Sequence, residues 1–180
     1  MTEHTTPVVS PARLTGDRID PSPVADERQA LTETLDYYRR TFELKCAGLD
    51  PARLSERSVP PSTLTLHGLL RHLTGVERWW FRIQFAGEDV PNLYYSDDDP
   101  EQDFASLDGD VGEAFSLWHE ECELARQIVA ASSLDDTGTR VSTGEPIKLR
   151  WVMLRMIGEY ARHIGQADLV RERIDGATGE

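Results

Sequence analysis

From Asp26 onward the apolar residues Leu31, Leu35, Tyr38, Phe42 and Cys46 recur at helical spacing, and Gly48 stands where such a helix would stop. After the proline-bearing stretch LDPARLSERSVPPS, Thr65 is placed to cap a second helix, whose apolar face runs from Leu66 through Leu69, Leu73, Val76 and Trp80 to Ile83 and ends at Gly87. A third helix is expected from near Asp110, with Val111, Ala114, Trp118, Cys122, Ala125 and Val129 on one side, running out at ASSLDDTGTR. A fourth starts near Pro146 and extends to about Ile174, where DGATGE ends it. Four long amphipathic segments, no strand alternation and no internal repeat predict an all-α antiparallel four-helix bundle.

The segments between the helices qualify that picture. Residues 1–24 carry Pro7, Pro11, Pro21 and Pro23 among small polar and charged residues, so a flexible N-terminal tail is expected ahead of one domain at 25–180. EDVPNLYYSDDDPEQDFASLDGD, between the second and third helices, exceeds the few residues that usually join neighbouring helices. It is expected to be a long crossover.

The fourth helix also carries a puzzle. At 100° per residue, Leu149, Val152, Met156, Tyr160, His163 and Ala167 fall in one sector with Glu159 at its edge, while Arg150, Arg155, Arg162 and Glu172 take the other side. A carboxylate and an imidazole on a buried face need partners. The bland solution is a contact between Glu159 and His163 one turn apart. His72, on the flank of the second helix's stripe, supplies another: two imidazoles and a carboxylate form the three-ligand set of a catalytic zinc or non-haem iron site. His67 and His119 read as surface residues, the latter beside Glu120 and Glu121 on a solvent-facing stretch. Trp79 and Gln166 are candidate substrate contacts. Arg171 and Asp168 are expected in surface or interhelical pairs.

Composition narrows the partners. A formal net charge of −13 with no basic cluster argues against nucleic acid, and no apolar run approaches the about 20 residues of a membrane span. The first residues lack the basic start and apolar core of a secretory signal, so a cytoplasmic location is expected. Cys46 and Cys122 show no paired spacing and are expected to be reduced, half-buried thiols. A Gly-rich phosphate loop and the H-E-x-x-H motif are both absent.

The runs LDPARLSERSVPPSTLTLHGLLRHLTGVERWWFR and LRWVMLRMIGEYARHIGQADLVRERIDG resemble the DinB-like superfamily, in its actinobacterial branch related to mycothiol-dependent S-transferases and maleylpyruvate isomerase. That resemblance covers most of 27–176. It implies a four-helix bundle with a long crossover, and a divalent metal, zinc first among the choices, held by His72, Glu159 and His163. It also implies a thiol transferase that activates mycothiol as a metal-bound thiolate for attack on an electrophile, with no protein nucleophile, in a homodimer. A stress-linked metal- or ligand-binding bundle without turnover and a metal-dependent hydrolase are the alternatives. Gln166 stands where that branch often has His.

Overall fold

The computed structural model describes residues 18–96, 98–99, 102–105, 107, 109–141 and 143–179. Helix α1 spans Glu27–Cys46; Asp26 caps it by accepting a hydrogen bond from the Gln29 amide at 2.9 Å, and Gly48 turns the chain away at φ +75°. A single turn, α2 (Pro51–Leu54), interrupts the proline-bearing loop and buries Leu54. Helix α3 covers Leu66–Glu77, with Thr65 receiving the Gly68 amide at 2.9 Å. Helices α5 (Val111–Ala131) and α6 (Leu149–Asp175) complete the bundle, and between α3 and α5 lies a four-residue helix, α4 (Gln102–Ala105). Of the expected N-terminal tail, residues 1–17 lie outside the described residues. The rest lies along α1, where Arg18 bonds Thr41 at 3.2 Å and the Ser22 amide bonds Glu33 at 2.7 Å.

Contacts between helices give their directions. Glu27 pairs with Arg150 and Lys45 with Asp168, so α1 and α6 run parallel. Glu77 meets Tyr160 and Trp80 meets Trp151, so α3 runs antiparallel to α6. Asp36 pairs with Arg126 and Glu43 with His119, which sets α5 antiparallel to α1 and therefore parallel to α3. Parallel neighbours need a connection that travels back the length of the bundle, and residues 86–110 are that crossover. One core fills the space between, built on Phe42, Leu69, Leu73, Phe81, Trp118 and Met153. Among the described residues no helix is long and apolar enough to cross a membrane.

Several expectations are corrected. The second helix is not one α-helix to Gly87: from Arg78 to Phe85 it widens into π-helical turns. A π turn holds more residues than an α turn, so the apolar face shifts and Phe81 becomes fully buried. Strands were not expected, yet Thr137–Thr139 (β1) and Pro146–Lys148 (β2) pair antiparallel, with Gly138 opposite Ile147. The hairpin moves the start of the fourth helix from Pro146 to Leu149. Gly138 lets it pack on the π turns, because a Cβ there would fall 2.4 Å from the Phe85 carbonyl oxygen. Cys46 and Cys122 are fully buried, not half-buried.

Candidate metal centre

Three side chains from α3 and α6 converge. His72, Glu159 and His163 each offer one donor atom, and these atoms lie within 4.8 Å of one another. The rings of His72 and His163 meet edge to face with centres 4.6 Å apart, and His163 Nε2 is 3.4 Å from Glu159 Oε2. Two ligands at the usual 2.0–2.1 Å from a tetrahedral zinc stand about 3.4 Å apart, so that edge of the triangle already has the required length.

The remaining ring nitrogens are committed. His72 Nδ1 lies 2.8 Å from Asp103 Oδ2, a carboxylate that α4 buries against α3, and Phe104 stacks on the His72 ring at 5.0 Å. His163 Nδ1 lies 2.7 Å from Gln166 Oε1. A cation on the two Nε2 atoms would leave Nδ1–H of each ring to donate to these acceptors, the arrangement of a histidine oriented for metal by an outer partner, and would take the place of the Nε2 proton through which His163 bonds Glu159. His72 Nε2 is buried without a hydrogen-bond partner, an unmet acceptor that a cation would satisfy. The donor set of two nitrogens and one oxygen fits a divalent cation.

Glu159 is available as an anion. Its hydrogen bond with His163, helped by the Arg155 and Arg162 guanidinium groups on either side, holds the carboxyl at about 2 although burial acts the other way. The cysteines, by contrast, cannot serve as ready nucleophiles. Burial pushes both thiols well above their usual range, with Glu77 adding to the shift at Cys122.

Other sequence expectations fall into place or fail. Gln166 is engaged with His163, and Trp79 is half-buried and packs against the core. His119 is exposed, as expected, but His67 is buried and bonded to Ser55 Oγ at 3.0 Å, because α2 and its loop fold over the start of α3. Glu121 does not face solvent: it is buried under Arg78 and Arg82, which reach its Oε1 at 2.6 and 2.9 Å from the π turns. Arg171 and Asp168 are interhelical; Arg171 Nη1 bonds the Lys45 and Ala47 carbonyls at 3.0 and 2.7 Å. Several buried polar groups, Arg39 and Gln84 among them, carry no signal in the sequence, and two stand out. One is Asp103, which no periodicity marks. The other is Glu77, fully buried in a fork from Arg39 (2.8 and 2.7 Å) with the Tyr160 hydroxyl donating at 2.9 Å.

An all-α bundle with a crossover between parallel neighbours, and with two imidazoles and a carboxylate meeting between an antiparallel pair, has the architecture expected of DinB-like proteins. The family model for mycothiol-S-transferase matches residues 30–176, and the chain belongs to that family, which places it among mycothiol-related transferases. No curated protein matches the chain.

Proposed function

We propose that the protein is a metal-dependent mycothiol S-transferase in which His72, Glu159 and His163 hold one divalent cation, zinc being the first choice for this donor set. The observation that carries the reading is His72 Nε2, buried and unpartnered while Nδ1 is fixed on Asp103. Leaving a buried acceptor unmet costs about 1–3 kcal/mol, and a cation shared with His163 and Glu159 removes that cost.

The chain's own residues prepare the site. Asp103 and Gln166 fix the ring tautomers, Phe104 covers one face of His72, and Arg155 and Arg162 keep Glu159 ionised. A divalent cation held by His72, Glu159 and His163 would supply Lewis acidity, which would lower the pKa of a low-molecular-weight thiol brought to it. The thiol sulfur forms a C–S bond with the electrophilic carbon as that carbon's bond to its leaving group breaks, the leaving group departing with the electron pair and the thiol proton passing to solvent. With Cys46 and Cys122 buried and protonated, the low-molecular-weight thiol is the nucleophile.

Purified protein, assayed for conjugation of mycothiol to an electrophilic probe before and after chelation, tests this directly. Activity that falls on chelation, returns with zinc and is absent in His163→Ala supports it; chelator-resistant conjugation, or none across a broad electrophile panel, defeats it. The expected homodimer is measured in the same samples by light scattering.

A further inference from the structure

The face of α6 that begins about two turns from Glu159 points to the class of electrophile, an inference that rests on the transferase reading above. Ile147 of β2 with Trp151 and Leu154 of α6 form the apolar part of a surface cavity of about 480 Å³, within the range of small-molecule sites, whose charged lining is paired, Arg140 with Glu145 and both Lys148 and Arg150 with Asp135. Trp151 and Leu154 are 44% and 57% exposed, large apolar side chains that the fold leaves facing water. Trp151 packs edge-on against Trp80 with ring centres 5.3 Å apart, and the Arg155 guanidinium lies 5.8 Å from the Trp80 ring centre. Arg155 in turn pairs with Glu159. Cavity wall, aromatic pair, guanidinium and candidate ligand therefore touch in succession. At 100° per residue, Trp151, Arg155 and Arg162 share one face of α6 within about 40°. Between the two arginines nothing lies within 4 Å of where a Gly158 Cβ would sit, so that surface is open.

Charge adds a second constraint. Arg155 and Arg162 both hold the single carboxylate of Glu159 and are themselves 46% and 58% exposed. Once a divalent cation and one thiolate are added, the carboxylates of Glu159 and Asp103 leave the site with one positive charge in excess. A carboxylate on the electrophile cancels that excess, and the planar guanidinium fork is the side chain best shaped to receive it. The chain as a whole, at −13, repels anions, so recognition must come from these local groups.

We propose that the α6 face from Trp151 to Arg162 binds the electrophile, and that this substrate is a molecule with an aromatic or similarly apolar body and a carboxylate. The body occupies the Ile147, Trp151 and Leu154 cavity, and the carboxylate lies on Arg155.

The test uses unreactive probes, 3-phenylpropanoate and its neutral amide, titrated calorimetrically into the zinc-loaded full-length protein. The acid is expected to bind about tenfold tighter than the amide, as one charge-assisted hydrogen bond predicts. Arg155→Gln should erase that preference and Arg155→Lys retain part of it, both at wild-type Tm, while Trp151→Ala weakens both probes. Equal affinity for acid and amide, or a preference that survives Arg155→Gln, overturns the proposal. So does a Trp151→Ala variant that binds both probes unchanged but turns a dimer into a monomer, because the face would then be an interface between copies. Binding without turnover keeps the two claims apart: intact conjugation with no acid preference overturns only the substrate class, whereas Arg155-dependent acid binding without conjugation of any electrophile overturns only the transferase.

Discussion

Two buried carboxylates, Glu77 and Glu159, sit on helices that face each other, and their surroundings differ in one respect. Glu77 is saturated: Arg39 forks onto both its oxygens, Tyr160 donates to one of them, and Trp118 Nε1 donates to Tyr160 at 2.9 Å. Four helices contribute to that cluster, and both carboxylate oxygens have partners. Glu159, next to Tyr160 in the chain, is held by two half-exposed arginines and faces two imidazoles, one of which has a buried nitrogen without a partner. Burial of polar groups does not by itself mark a site. Saturation suits the first cluster to a structural part, and the unmet acceptor is what supports the proposal of a ligand at the second.

The largest effect that separates them is on stability. Glu77→Gln takes the buried anion from Arg39, which keeps only the half-exposed Asp36 at 3.0 Å, and breaking such a buried pair costs about 3–5 kcal/mol, to be read from denaturant unfolding. Glu159→Gln removes pairs with exposed arginines and should cost about 1 kcal/mol or less, yet it should abolish tight zinc binding. If the two variants lose equal stability, the distinction between the clusters fails.

Next in size come the groups behind the histidines. Asp103→Ala and Gln166→Ala should each weaken zinc affinity about 10–100-fold, measured by competition with a chromophoric chelator, because a ring without its outer partner loses both tautomer and orientation. The smallest effect concerns the thiols. Cys46→Ala should leave the conjugation rate unchanged, since that sulfur lies in the core; a loss of turnover with unchanged Tm would return the nucleophile to the protein.

The legible parts of the sequence were those with a local signal. Asp26 and Asp110 announced the starts of α1 and α5 because an Asp cap acts within one turn. His72, Glu159 and His163 could be grouped because each departs from an apolar stripe that otherwise holds its period. Asp103 could not, since it comes from the crossover, 31 residues from His72, where no repeat fixes which side chains turn inward. Glu77 was missed because its partner Arg39 sits on another helix, 38 residues away. Arg78 and Arg82 follow in π turns that depart from the assumed 3.6-residue period. Three-residue strands are too short for alternation to show, so the hairpin was invisible as well.

His72, Glu159 and His163 are proposed to form one cation site. A zinc titration of the demetallated full-length protein against a chromophoric chelator tests it most directly, with His72→Ala and His163→Ala run alongside at matched Tm. One tightly bound zinc per chain is expected in the wild type and none in either variant. Tight binding that persists in both variants, or no binding by the wild-type chain, would contradict it.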